Sequence, residues 1–391
     1  MKPIYLDYNA STPIDPEVIE EMLPYLRDRF GNPSSSHHYG RQAKEGIEEA
    51  RRHIAELINA KTDEMVFTSG GTESNNIALC GVAFANRKKC KRIVTCVTEH
   101  PAVLNPCRWL QTQGFDVKYV GVDRFGVVNL EQLETLVDNS TILVSVMHAN
   151  NETGTIQPIR EIAKISHRQG ALFHTDAAQT TGKLKVDVNR MSIDLLSVAG
   201  HKFYAPKGIG ALYVRDGTDI EPFLRGAGHE HGFRPGTENT ASIVGLGKAA
   251  DIAKRTMSEY VPRMQSLRDR LHGLLLKSIL ELRLNGHPKK RLQNTLNVSV
   301  PGIDSEELLA GTPELAASTG SACHADRTEP SPVLTAMGVP EEVALGTLRL
   351  SLGKWSTEKE IDQASSIIGD EVARLGRYPF KPCETNLARK R

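Results

Sequence analysis

The feature that most constrains the fold is a recurrence. Short apolar runs, MVFTS, RIVTCV, ILVSVM, ALFHTD and DLLSVAG, return along the chain, with helical stretches between many of them. Several are apolar at consecutive positions, as strands covered on both faces should be. Strand and helix in alternation predict an α/β fold around a mostly parallel sheet. Ahead of the first run, Ile47, Ala50, Ile54, Leu57 and Ile58 share one helical stripe over residues 42–59. After about residue 256 the character changes. A long charged amphipathic stretch, SEYVPRMQSLRDRLHGLLLKSILE, is followed by LNVSVP, TLRLSLG and a last helix from Ser356. In that helix Ile361, Ala364, Ile368, Val372 and Leu375 make the apolar stripe. The expected division is a large domain over 14–256 and a smaller α/β domain made of 1–13 and 257–391.

Composition narrows the function classes. Lys and Arg number 48 against 47 Asp and Glu, a net charge of +1, which leaves no electrostatic footprint for nucleic acid. No apolar run approaches the roughly 18 residues of a membrane helix, and MKPIYLDYNASTP has no signal-peptide core. Six cysteines without a CxxC pair argue against a disulfide framework or a structural zinc site. A cytoplasmic protein with free thiols is expected.

In a parallel sheet, ligands collect beyond the carboxyl ends of the strands. Four segments put chemistry there. In TSGGTESNN (68–76), an apolar strand runs into Gly70, Gly71 and then a helix. Free N–H groups at a helix N-terminus, with the Thr72 hydroxyl, suit a phosphate. The segment is neither GxGxxG nor a Walker loop. In FHTDAAQ, Asp176 ends a strand, where a carboxylate can pair with a protonated ring nitrogen. Ala177 and Ala178 are small enough to lie beneath a flat ring. In SVAGHKFYAPKG, Lys202 follows a strand end, and lysines of depressed pKa form Schiff bases with carbonyl compounds. In TEHPAVL, His100 can stack on a ring or move a proton. Taken singly, the ordinary readings are a glycine turn, an N-capping Asp, a costly lysine and a core histidine. Together they make a phosphate cradle, a partner for a ring nitrogen, a Schiff-base lysine and a stacking ring. Pyridoxal 5'-phosphate requires that set.

These segments resemble the fold-type-I pyridoxal-phosphate enzymes and, within them, the cysteine desulfurase and selenocysteine lyase family. The likeness runs from YLDYNASTP to TLRLSLGKWSTEKEID and includes GNPSSSH, ANNETG, HTDAAQ, GHKFYAPKG, RPGTEN and TGSAC. It implies a mostly parallel seven-stranded sheet sandwiched by helices, plus a smaller α/β domain. It implies that Lys202 carries the cofactor, Asp176 pairs with the ring nitrogen and Gln179 meets the ring hydroxyl. His100 would stack on the ring and assist proton transfer, and Asn151 would contact cofactor and substrate. Gly71, Thr72 and His201 would hold the phosphate, with Thr237 reaching in from a second copy in a homodimer. Arg349 would clamp the substrate carboxylate, a task suited to a bidentate guanidinium. Cys323, on a mobile loop at about 320–332, would take sulfur as a persulfide, with His324 and Arg327 favouring its thiolate.

The implied reaction converts L-cysteine to L-alanine and passes the sulfur to a protein acceptor, for iron–sulfur cluster assembly or thiolation. A selenocysteine lyase, converting L-selenocysteine to L-alanine and selenide, is the alternative. Pro101 after the stacking histidine resembles the nitrogenase-associated desulfurases, whereas ACHAD followed by PSPVL resembles the lyases. Two other readings are a different pyridoxal-phosphate reaction such as transamination, which has no use for Cys323, and a non-catalytic partner in a sulfur-transfer complex. Intact Lys202, Asp176, His100, Cys323 and Arg349 argue against the last. The chain departs from the family at Ala199, where some members have a serine for the phosphate, and at His229, Glu230 and His231, where QER is common. No metal is expected. Cys80, Cys96 and Cys107 are expected in the core, and Cys90 and Cys383 at the surface.

Overall fold

The computed structural model describes residues 3–89, 91–319 and 330–376. Seven strands form the central sheet: β1 (Met65–Thr68), β2 (Arg92–Cys96), β3 (Asp116–Val120), β4 (Thr141–Ser145), β5 (Leu172–Asp176), β6 (Leu195–Ala199) and β7 (Gly210–Val214). Their order across the sheet is β1-β7-β6-β5-β4-β2-β3. Strands β2 to β6 pair in parallel, and β7 runs antiparallel to both of its neighbours. The expected α/β class and mostly parallel sheet are therefore present.

The runs are apolar at consecutive positions because both faces are covered. Helices α1 (Pro16–Arg27) and α2 (His38–Ile58) close one face, and α3 (Gly71–Asn86) and α4 (Pro101–Thr112) close the other. In β2, Ile93 packs under α3 and α4, while Val94 and Cys96 enter the opposite core, as a period of two requires. On α2, Ile47, Ala50, Ile54 and Ile58 are buried and Leu57 packs beside them. Asn59 ends that helix in the left-handed conformation, with φ 57°.

A helix of 39 residues, α5 (Thr240–Ser278), joins two cores. Its first half enters the sheet core through Ile243, Leu246, Ala249 and Ala250. Its second half enters a separate core through Leu267, Leu271 and Leu275. It begins well before the amphipathic stretch at Ser258 because its first turns pack closely on α2. A Cβ on Gly247 would lie 2.4 Å from the Ala50 Cα. Residues 256 and 257 lie inside the helix. The second core is built on β8 (Arg283–Leu284), β9 (Thr295–Ser299) and β10 (Thr347–Ser351), in the order β10-β9-β8, all antiparallel. Helix α6 (Glu358–Leu375) covers it with Ile361, Ala364, Ile368 and Leu375, and Val372 packs partly buried beside them. The N-terminal segment joins this core through Ile4 and Leu6, with Ile4–Tyr5 pairing in parallel with Leu315–Ala316. Among the described residues no helix is long and apolar enough to cross a membrane.

Candidate active site

The site forms where strands of the central sheet end. β1 stops at Thr68 and the chain turns through Gly70, whose φ of 148° favours glycine. The turn also lies tight against β7: a Cβ on Gly210 would sit 2.7 Å from the Gly70 Cα. Gly71 then opens α3. The first N–H groups of a helix have no partner inside it. A Cβ on Gly71 would meet that of Ala199 at 3.3 Å, so the glycine keeps the helix end open.

Asp176 closes β5. One carboxylate oxygen, Oδ1, accepts from the Ala178 N–H at 2.9 Å, and Oδ2 accepts from Asn75 Nδ2 at 2.8 Å. The local capping bond is therefore made, and α3 holds the second oxygen from across the site. Lys202 ends a single 3-10 turn directly after β6. Its Nζ donates to the carbonyls of Asn9 at 2.7 Å and Ala10 at 2.8 Å. Gln179 Nε2 donates to the same Asn9 carbonyl at 2.9 Å. Asn9 is in turn pinned by its amide, which reaches Asn151 O at 3.1 Å and Thr295 Oγ1 at 2.9 Å. His100 caps α4, accepting the Ala102 N–H on Nδ1 at 3.1 Å, with Pro101 at the first helical position.

Arg349 approaches from β10 and is only 2% exposed. Its Nη2 donates to Asp7 Oδ1 at 2.9 Å and to Ser318 Oγ at 3.1 Å, and its Nη1 to Asn151 O at 3.4 Å. Its Nε has no partner among the described residues.

One cavity of about 300 Å³ gathers these groups. Gly71, Thr72, His100 and Asn151 line it, and so do Asp176, Gln179, His201, Lys202 and Arg349. Thr237 is exposed and stands outside it. Cys323, His324 and Arg327 lie outside the described residues, as do Cys90 and Cys383. A larger groove of about 510 Å³ between α1, α2 and α5 is lined by charges of both signs, among them Glu21, Arg29, Glu49 and Lys248, and holds none of these groups.

Burial sets the protonation states. Lost solvation, then the charges of Lys202, Lys207 and Lys183, push His201 down to about 4. Burial lowers His100 too; Lys202 adds to the effect and Asp176 opposes it. Both rings are neutral near pH 7. Glu99 is raised well above the usual carboxylate range by burial, with Asp176 adding to it, although the Met147 N–H donates to Oε1 at 2.7 Å. Its Oε2 has no partner among the described residues. Cys80, Cys96 and Cys107 are buried, and lost solvation pushes each up to about 12. They are core thiols rather than nucleophiles. Glu230 of the His229–His231 stretch pairs with buried Arg51 at 2.7 Å and accepts the Phe67 N–H at 2.6 Å. Among the described residues no group of three His, Cys, Asp or Glu is placed to hold a metal.

Three site residues escape the sequence reading. Asn75 had a signal: it lies four residues after Gly71, one helical turn, on the same face of α3. Asn9 acts on Lys202 through its carbonyl, which no side-chain pattern marks. Glu99 directly precedes His100, and only its burial sets it apart.

The chain matches the model of the family described as aminotransferase class-V over residues 4–364. It is 48% identical over 386 residues to a protein named cysteine desulfurase IscS from Methanosarcina thermophila, covering 98% of this chain and 95% of that protein. A solved structure titled NifS-like protein is similar at a TM-score of 0.90 and 38% identity, over 95% of this chain and 100% of that one. Another, titled SspA in complex with cysteine, has a TM-score of 0.81 and 39% identity, over 90% of this chain and 99% of that one. Likeness of this extent, on a sheet and cavity of this form, is family membership: the chain belongs to the class-V aminotransferases, among the cysteine desulfurases.

Proposed function

We propose that this chain is a pyridoxal 5'-phosphate-dependent cysteine desulfurase that converts L-cysteine to L-alanine and holds the sulfur as a persulfide on Cys323. The observation that carries the reading is that Lys202, Asp176 and a buried Arg349, whose Nε has no partner among the described residues, line one cavity. The residues fit the cofactor. Gly71 leaves the end of α3 open, Asp176 is fixed by two donors, and Lys202 is the amine in the same space.

Gly71, Thr72 and His201 would hold the phosphate, Asp176 the ring nitrogen's proton, and Gln179 the ring hydroxyl, with His100 stacked on the ring. The cofactor supplies an electron sink for the pair released at the substrate carbons. Arg349 and Asn151 would hold the substrate, the guanidinium taking its carboxylate. Lys202, displaced by the substrate amine, would take the proton from the substrate Cα. His100, neutral near pH 7, can exchange a proton with the substrate. The Cys323 thiolate would then attack the substrate Sγ. The S–S bond forms as the C–S bond breaks, and the pair from that bond stays with the substrate carbon. That carbon gains a proton and leaves as the alanine methyl. No outside oxidant is required, because the sulfur is oxidised as the carbon is reduced.

A protein would accept the persulfide sulfur, and iron–sulfur assembly or thiolation would consume it. Thr237, exposed outside this chain's cavity, would serve the phosphate of a second copy in a homodimer. The division near residue 256 into a large and a small domain is likewise a proposal, supported by the two separate cores.

The test is alanine release from L-cysteine and from L-selenocysteine by protein loaded with the cofactor, for wild type and Cys323→Ala. Turnover of cysteine that Cys323→Ala abolishes is the expected result. Turnover of selenocysteine alone would replace this reading with the lyase. Full activity of Cys323→Ala on cysteine would remove the persulfide.

A further inference from the structure

Lys183 lies four residues beyond Gln179, and its side chain is buried. Its Nζ donates to Gln179 Oε1 at 3.1 Å. Burial, and then the positive charges of Lys202 and Arg349, bring its ammonium down to about 7. A buried cation beside other cations costs stability, and an apolar side chain of similar size would ordinarily do better. Stability therefore does not explain this lysine; its hydrogen bond to Gln179 points to another role.

That contact settles the orientation of an amide. In its charged form the lysine only donates, so the Gln179 end facing it is then the oxygen. At the other end, Gln179 Nε2 faces the Asn9 carbonyl, which only accepts, at 2.9 Å. Both contacts allow the same flip and forbid the other. An amide nitrogen carries two hydrogens. One goes to Asn9, and Gln179 lines the cavity, so the second is available there. Lys202 Nζ shares the Asn9 carbonyl, so one run of hydrogen bonds links Lys183, Gln179, Asn9 and Lys202.

We propose that Lys183 is a positioning residue: it holds Gln179 with its amide N–H, rather than its carbonyl, turned to the cavity, so that the site offers a donor to an oxyanion on the cofactor ring. The inference rests on the pyridoxal-phosphate reading of the cavity. Loss of Lys183 would leave Oε1 without this donor and the amide held in that flip by the Asn9 carbonyl alone.

The experiment compares wild type, Lys183→Met, Lys183→Arg, Gln179→Leu and the Gln179→Leu/Lys183→Met double variant. For each, the thermal midpoint without cofactor, the affinity for pyridoxal phosphate and the pH midpoint of the loaded protein's visible band are measured. Lys183→Met is expected to be at least as stable as wild type and to bind the cofactor about 3- to 10-fold more weakly, the worth of one hydrogen bond. Its visible-band midpoint should move up, because a donor held at the ring oxygen opposes an added proton. Lys183→Arg, which keeps the donors, should retain the wild-type affinity. The double variant should match Gln179→Leu, since the lysine acts only through the amide. An unshifted midpoint and unchanged affinity in Lys183→Met overturn the proposal. So does a double variant weaker than Gln179→Leu alone. If Lys183→Met fails to fold, Lys183→Arg decides, and a loss of affinity there overturns it. A wild type that takes up no cofactor removes the cofactor reading, and this inference with it, before any variant is compared.

Discussion

The two sides of the cavity are built on opposite plans. On the sheet side, Asp176 and Lys202 stand at or just past strand ends, and each named polar atom has its partner: Asn75 and Ala178 for one, Asn9 and Ala10 for the other. On the far side, a single buried guanidinium draws on Asp7 and Ser318, and its Nε is left over. At Asp176 and Lys202 the first side has its hydrogen bonds already made, and the second keeps donor capacity in reserve. A group that stays bound through many turnovers is best met by partners already in place. A group that arrives and leaves is met by a donor whose bonding it completes, because an unpaired buried N–H is costly until then. Under the proposed function, the permanent ligand belongs to the sheet side and the transient one to Arg349.

Substitutions on the two sides should therefore fail differently. The largest effect is expected for Lys202→Ala, which under the proposed function would remove both the cofactor's amine partner and the base. Its turnover of L-cysteine should fall by at least about 10²- to 10⁴-fold. The visible band of bound cofactor should change with it. Arg349→Lys keeps the charge but loses the fork. We expect KM for L-cysteine to rise about 10- to 100-fold, with cofactor affinity unchanged. Loss of cofactor affinity in Arg349→Lys would break the comparison, because both sides would then serve the same group.

The smallest effect concerns acid. His148 and His174, on the sheet side, are wholly buried, and lost solvation holds each down to about 4, against an ordinary 6.5. Between those values the unfolded chain binds more protons than the folded one. The stabilising contribution is complete above 6.5 and is lost as pH falls toward 4. Thermal midpoints measured from pH 7.5 down should decline across that window. His174→Gln should flatten the decline while lowering the midpoint at pH 7.5, since His174 also bonds Ser145 at 2.8 Å and Ser197 at 3.0 Å. An unchanged slope would mean that His174 is not the group being protonated.

The same contrast governs what the sequence reveals. Asp176 and Lys202 are legible because each closes a short apolar run, and strand ends are where such a sheet gathers ligands. Arg349 is visible only through TLRLSLG, since its carboxylate partner, Asp7, lies 342 residues away in the chain. Asn9 contributes a carbonyl, and every residue has one to offer. The early start of α5 is hidden for a related reason. A helix buried on most sides shows little amphipathic pattern, and Gly245 and Gly247, poor helix formers, are there for close packing against Met22 and Ala50. Local chemistry is written locally, and contacts between distant segments are not.

Helix α5 also acts as a beam. At 1.5 Å per residue its 39 residues span about 58 Å. One end is clamped by Ile243 to Ala253 in the sheet core, and the other by Leu267 to Leu275 in the second core. Pro262 lies in the span between the clamps. A proline lacks the N–H that would close one rung of the ladder, so bending stiffness is lowest there. The Tyr260 hydroxyl, two residues before that proline, donates to the Gly182 carbonyl, so the span is tied down beside its weakest rung, and one continuous helix braces the core that carries Lys202 against the core that carries Arg349.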